Sequence, residues 1–261
     1  MRDASPFSLE DKVVVQCGAS GLLGPALLHA IAGAGATLVA TSRDPAKLEP
    51  AAAAIRAHGG ILHLDSVDLT AESNILAFRD RVLAAHGRID GVVFNAVARV
   101  MSRLDDPLAK WEESMRLNAT GFFAFVRAFG DAMQARGRGS IVNIASMQGM
   151  IGMHPSLYDD AGATMPPDYF FHKGGMINLT RHLASHYGAS GVRVNAVSPG
   201  GLYHPERPPP DGFHARYCQA TMLGRMAHAH EIGGAVVFLL SDAASYVTGA
   251  NLPVDGGYTA K

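Results

Sequence analysis

Cysteine is nearly absent from this 261-residue chain. Cys17 and Cys218 are the only two, too few for a disulfide scaffold, so a reducing, cytoplasmic setting is expected. Net charge is equally scarce: 22 Lys and Arg against 23 Asp and Glu leave a formal −1, with no run of like charge to offset it. That balance argues against nucleic acid and against a membrane surface as partners. An uninterrupted apolar span is missing too. Thirty residues from Val13 to Ser42 carry no Asp, Glu, Lys or Arg, long enough for a membrane helix. Gly18, Gly21, Gly24, Pro25, Gly33 and Gly35 break the stretch, however, and Gln16 and His29 lie within it. Ahead of it, Asp3, Glu10 and Asp11 against Arg2 and Lys12 do not make the positive start of a secretory signal. What the chain does have is 48% hydrophobic residues, enough for one globular domain spanning residues 1–261.

Alternating elements fill that domain. Val13-Val14-Val15 is an unalternating β-branched run, the mark of a strand buried on both faces. A helix is expected near Pro25–Ala34, a strand at Thr37–Thr41, a helix over Pro45–His58 with Asp44 as its N-cap, and a strand at Ile61–Leu64. Helix Ala71–His86, strand Gly91–Phe94, one long helix from about Pro107 to Met133 and strand Ser140–Ala145 follow. The series closes with helix Asp168–Tyr187, strand Arg193–Val197, helix Glu231–Leu240 and strand Asn251–Val254. Strands separated by helices imply crossovers, and hence an α/β fold with a doubly wound parallel sheet covered on both faces. Two segments read as irregular, 149–167 and 200–224, the second containing Pro208-Pro209-Pro210. Long loops in such a domain usually carry function.

Three features carry chemistry. Gly18-Ala19-Ser20-Gly21-Leu22-Leu23-Gly24 follows a strand and opens a helix, where glycines admit a pyrophosphate to a positive helix N-terminus. At the end of the second strand stands Ser42-Arg43 rather than an acidic residue; a guanidinium there pairs with a 2′-phosphate, which favours NADP, with NAD as the alternative. Tyr169 and Lys173 are four apart on one helix, so their side chains share a face. A phenol needs a shift of about 3 units to work as an acid/base near neutrality. One ammonium about 4 Å away, at an effective dielectric of about 20, supplies roughly the ~4 kcal/mol required. Ser146 ends a strand on the side where such sheets bind ligands, and Asn118 is a poor helix former inside a strong helical run.

Taken together, the chain from about Leu9 to Tyr258 resembles a single-domain member of the short-chain dehydrogenase/reductase family, with its Rossmann-type sheet. The resemblance rests on the glycine turn, Asp68-Leu69, Asn95-Ala96, Asn118, Ile141 through Ser146, Tyr169 with Lys173, Arg193 through Gly200, Val247-Thr248-Gly249 and Asp255-Gly256-Gly257. It implies that Tyr169 gives or takes the proton at the substrate oxygen and that Ser146 hydrogen-bonds that oxygen. Lys173 would lower the tyrosine pKa and hold the nicotinamide ribose, and Asn118 would anchor a relaying water. Asp68 and Leu69 would flank the adenine, Asn95, Ala96 and Val97 the adenosine side, and Pro199, Gly200 and Leu202 the carboxamide. Cys17 stands where the family usually has threonine, Leu22 and Val97 where glycine is usual, and His204 where a threonine often follows Pro-Gly. The spacing of Gly18, Gly21 and Gly24 is that of the family's sugar-nucleotide-modifying branch.

The two irregular segments would frame a small polar substrate. Gln148, His154, Tyr158, Asp159 and Asp160 in one, and Tyr203, His204, Glu206 and Arg207 in the other, suit hydroxyl-rich compounds. The insertion before Tyr169 and the run Lys173-Gly174-Gly175 are similar to members of bacterial surface-sugar and flagellin-glycan pathways. The function expected is an NADP(H)-dependent oxidoreductase interconverting a secondary alcohol and a ketone. Its competitors are a non-catalytic NADP-binding sensor and a sugar-nucleotide epimerase or dehydratase. No metal centre is expected, because His182 and His186 have no third ligand placed by sequence. Buried packing is expected of Cys17, and a homotetramer is implied by the resemblance alone.

Overall fold

The structure is a computed structural model that describes residues 5–158 and 166–261. Seven strands form one sheet: β1 (Val13–Cys17), β2 (Thr37–Thr41), β3 (Ile61–Asp65), β4 (Gly91–Phe94), β5 (Gly139–Ile144), β6 (Val192–Pro199) and β7 (Asn251–Val254). Every pairing is parallel and the spatial order is β3-β2-β1-β4-β5-β6-β7. The order reverses between β1 and β4, so the crevice for a ligand opens beyond the carboxyl ends of those two strands. Helices α1 (Gly24–Gly33) and α2 (Glu49–Ala57) cover one face, and α3 (Glu72–His86) covers the other.

The apolar strands are unalternating because each serves two cores. In β1, Val13, Val15 and Cys17 enter a cluster with Phe78, Phe125 and Phe129, whereas Val14 enters the opposite cluster with Leu27, Ile31 and Leu239. Cys17 is fully packed there, and burial pushes its thiol up to about 12, which keeps it protonated and inert. The charge-free stretch resolves into β1, α1 and β2, and no helix among the described residues is long and apolar enough to cross a membrane.

Three expectations need correction. The long helix over 107–133 is interrupted: α4 (Leu108–Ser114) passes through a π-helical stretch at Met115–Thr120 into α5 (Gly121–Arg136). Asn118 is the cause at hand, since its amide leaves the helix to bond the backbone of Ala98. Asp44 does not cap by its side chain; it pairs with Lys47 at 3.7 Å, and the segment starts as a 3-10 turn at Pro45–Leu48. The segment 200–224 is not irregular throughout, because α7 (Asp211–Ala220) begins directly after Pro210. Its Tyr217 is buried against Tyr258 in a third, small core with Met147, Leu157 and Met226. Helices α6 (Pro167–Gly188) and α8 (His230–Leu240) lie close to where the sequence places them.

At the amino end of the sheet one carboxylate ties three elements. Asp90 accepts bonds from Val13 N at 2.9 Å, from Arg88 Nε and Nη2 at 2.7 Å each, and from Arg136 Nη1 at 2.7 Å. Burial pushes its carboxyl up, but the two guanidiniums and the amide outweigh burial and hold it below the ordinary 3.8. Its stabilising effect is therefore complete above about 4 and fades as pH falls through the lowered native value. Asp90→Asn is expected to lower the unfolding free energy at pH 7 by about 2–3 kcal/mol, less than for a wholly buried pair because both arginines reach solvent. Urea unfolding should show that gap narrowing at pH 3.

Candidate active site

Each strand end beyond the carboxyl edge carries one of the groups singled out by sequence. After β1, the glycine turn uses its three glycines differently. Gly18 has φ +79°, and a Cβ there would lie 2.4 Å from Ala96 N; a Cβ on Gly24 would lie 2.0 Å from Ala19 O. These two glycines allow backbone packing. Gly21 is the open one: a Cβ there would meet nothing closer than Gly18 O at 3.7 Å. No side chain caps α1 and its first turn holds no acidic residue, so its amide end suits a phosphate. The cradle thus fits a dinucleotide pyrophosphate. Leu22 is exposed at its rim, whereas Leu23 is buried in the core and offers only backbone.

Side chains from neighbouring strands brace this turn. Asn95, just past β4, donates to Gly18 O at 2.8 Å, and Val97 beyond it is exposed. Ser42, past β2, is buried and donates to Ser20 Oγ at 2.8 Å while accepting from Asp44 N at 3.2 Å. Arg43 is exposed and makes no ion pair among the described residues, Asp44 being engaged by Lys47. Asp68 is exposed too; the Thr70 amide and hydroxyl hold its carboxyl below the usual range. Beyond β6, Gly200 N donates to Val254 O at 3.0 Å, and Leu202 forms an isolated bridge with Ala227.

On the other side of the crevice, α6 brings Tyr169 and Lys173 together. Lys173 is 4% exposed. Its Nζ donates to Ile144 O at 2.6 Å and lies 5.6 Å from the Tyr169 ring centroid. Burial drives the ammonium down to about 7, and the guanidinium of Arg99 adds to that push. Two residues beyond Ile144, Ser146 is buried and accepts from Gln148 N at 3.2 Å, which leaves its own proton free to be donated. Arg99 approaches the same phenol, with Cζ 5.9 Å from the ring centroid.

The structure adds a buried polar cluster that the sequence reading missed. Ser114 of α4 donates to Asp168 Oδ2, receives Asn118 Nδ2 at 3.0 Å and lies 2.9 Å from His172 Nε2. Asp168 and His172 stand immediately before Tyr169 and Lys173, so the cluster fastens α6 to the Asn118 turn. Two pairs of polar residues at four-residue spacing, Ser114 with Asn118 and Asp168 with His172, were the available signal. Arg99 carried none, because only the fold brings it to Tyr169.

Substrate-side candidates are distributed more loosely. Buried Gln148 Oε1 and His204 Nδ1 have no hydrogen-bond partner among the described residues. Tyr158 packs on Phe213 with centroids 5.2 Å apart, and exposed His154 spends Nδ1 on Ser156 Oγ. Asp159 and Asp160 lie outside the described residues.

A family model described as enoyl-(acyl carrier protein) reductase matches residues 18–259. The chain is 36% identical over 263 positions to galactitol 2-dehydrogenase (L-tagatose-forming) of Cereibacter sphaeroides, covering 97% of each. It is also 36% identical to cis-4-hydroxycyclohexanecarboxylate dehydrogenase of Sinomonas cyclohexanicum, over 96% of this chain and 97% of that one. Among solved structures, a gluconate 5-dehydrogenase from Burkholderia cenocepacia J2315 in complex with NADP and tartrate superposes with TM-score 0.88, at 28% identity over 98% of each chain.

Hydrogen counting fixes the protonation of the cluster. The single Ser114 proton goes to Asp168, so Asn118 and His172 must both donate to Ser114 Oγ, which places the His172 proton on Nε2. Burial lowers the His172 pKa despite the opposing pull of Asp168, and Lys173 lowers it further. Nitrogen-15 spectra of histidine-labelled protein should show His172 as the neutral Nε2–H tautomer at pH 7, taking up its proton at lower pH than an exposed histidine. Ser114→Ala should lower the unfolding free energy by about 2–3 kcal/mol, because it strips a partner from a buried carboxyl.

Proposed function

The chain belongs to the short-chain dehydrogenase/reductase family and is an oxidoreductase acting on CH–OH groups, and from that premise we propose that it interconverts a secondary alcohol and a ketone on a small, polar, sugar-derived substrate with NADP(H). The observation that carries this reading is the buried Lys173 ammonium, bonded to Ile144 O and set beneath the Tyr169 ring beside the strand end that bears Ser146.

In the oxidation direction the substrate hydroxyl gives its proton to the Tyr169 oxygen, and in reduction the proton returns. The Ser146 hydroxyl, with one lone pair spent on Gln148 N, donates to the substrate oxygen and orients it. Lys173 supplies positive charge next to the phenol and stabilises the oxygen anion left when the proton moves. Asn118 has its amide committed to Ala98 and Ser114, so its main chain in the π-helical stretch is the part left to hold a relaying water. A nicotinamide bound in the crevice would supply the hydride acceptor or donor.

Support for NADP over NAD comes from Arg43, exposed at the end of β2 and without an ion pair among the described residues, and from the NADP bound in the gluconate 5-dehydrogenase neighbour. Support for a hydroxylated substrate comes from the unpartnered Gln148 Oε1 and His204 Nδ1, together with the galactitol dehydrogenase relative. Assembly as a homotetramer belongs to the same proposal; the exposed Leu108 and Phe171, with the Trp111 ring tilted against Phe171 at 5.4 Å between centroids, offer an apolar face for it.

Tyr169→Phe is expected to reduce turnover about 10³-fold or more while NADPH binding by fluorescence titration changes little; turnover within tenfold of wild type would defeat the assignment. Arg43→Ala should raise KM for NADPH about 10- to 100-fold and leave KM for NADH nearly unchanged. An equal rise for both cofactors would assign Arg43 to the surface.

A further inference from the structure

We propose that Arg99 is an anion anchor of the active site, so that the substrate carries a carboxylate near the hydroxyl that is oxidised; this rests on the proposed dehydrogenase reading and narrows it. The residue lies between β4 and α4, on the same side of the sheet as the carboxyl ends of the strands. Its guanidinium stands 5.9 Å from the Tyr169 ring centroid and its side chain is exposed, so both solvent and substrate reach it.

Its root is held in place. Asn118 clasps the preceding residue from both sides, accepting from Ala98 N at 2.7 Å and donating to Ala98 O at 2.8 Å. An exposed arginine on a loose loop would not be expected to keep one position over a phenol; this one starts from a backbone bolted to the helix beneath it.

Among the described residues Arg99 also has no counter-ion. Two carboxylates lie in its own segment, and both are occupied. Asp105 pairs with Arg103 at 2.8 Å. Asp106 pairs with Lys110 at 2.9 Å and caps the amides of Ser102 and Arg103. Lys173, the other basic group at the phenol, is spent on Ile144 O and has no acidic partner among the described residues. Arg99 and Lys173 thus face one tyrosine, and neither is paired with a carboxylate among the described residues, an arrangement that favours an incoming anion. Arg99 offers one planar fork, which matches one carboxylate bidentately better than a phosphate dianion.

The test uses the enzyme with NADP+ and matched pairs of compounds: gluconate with glucitol, threonate with threitol, and 4-hydroxycyclohexanecarboxylate with its methyl ester. The expected result is that the wild type prefers the acid in the pairs it turns over. Arg99→Gln should lower the acid-to-neutral ratio of kcat/KM about 10- to 100-fold, and Arg99→Lys should recover part of it. A wild type that prefers the neutral members overturns the proposal, as does an Arg99→Gln variant that loses acid and neutral partners equally or loses NADPH affinity instead. If no pair turns over, the proposed sugar-derived substrate class is what has failed, and calorimetric titration of the acids decides Arg99 separately. Acid binding to wild type that Arg99→Gln abolishes supports the anchor, and its absence from wild type refutes it.

Discussion

A buried ammonium constrains this active site more than any other group. Lys173 is 4% exposed and holds one protein acceptor, the carbonyl of Ile144. Charge in such a place is costly, by several kcal/mol per ion, so the packing around it has to be exact enough to keep that carbonyl in reach. The chain secures α6 against β5 at two heights. Near Lys173, Gly149 lies so close that a Cβ would be 2.5 Å from the Lys173 carbonyl carbon. Two helical turns on, Asn143 of β5 donates to Thr180 Oγ1 at 2.9 Å. The strand and helix that carry the reacting groups therefore move as one body, and Ser146, continuing from β5, inherits its position from the same union.

The two ends of the sheet treat charge in opposite ways. At the amino end, Asp90 gathers Arg88, Arg136 and the Val13 amide into a closed set whose effect is stability. At the carboxyl end, Arg43, Arg99 and Lys173 have no carboxylate partner among the described residues. A chain with net charge −1 thus keeps local positive potential where an anionic cofactor phosphate would meet the glycine turn. Acidic residues nearby are turned to other uses: Asp44 to Lys47, Asp106 to Lys110, Asp168 to Ser114. Overall composition could not reveal this, since it averages both ends.

Local pattern made most of the fold legible. Strands β2, β4 and β7 match the sequence reading end to end, and the other strands differ by one or two residues at one or both ends; the interior strands, buried on both faces, have no competing arrangement. Where reading along the chain failed, a tertiary contact had won. The helix through Asn118 looked continuous because nothing in its own sequence says that Ala98 will claim the Asn118 amide and widen the turn. Helix α7 was hidden by the three prolines before it, which set its start instead of breaking it. For the site, the Tyr169 and Lys173 spacing and the strand-end position of Ser146 were visible; Ser114, Asp168 and His172 were not, since each is an ordinary polar residue until two helices bring them together.

That difference between what could and could not be read has a physical origin in how the crevice is built. Its cofactor side stands on the main sheet, where every strand end is fixed by parallel neighbours. Its substrate side stands on the small third core, made by α7 and a few residues after β5. Tyr217 links these parts: its oxygen accepts from Gly201 N at 2.5 Å, beyond β6, and its proton is directed to Met147 Sδ at 3.6 Å, beside Ser146. Burial pushes the Tyr217 phenol up to about 12, so it is a neutral strut near neutral pH. One aromatic residue on a late helix thereby couples the loop that would face the nicotinamide to the turn that would face the substrate oxygen. Repacking this satellite core would reshape that part of the crevice while leaving the sheet and the Arg99 segment in place, whereas moving Ser146 would require moving the end of β5.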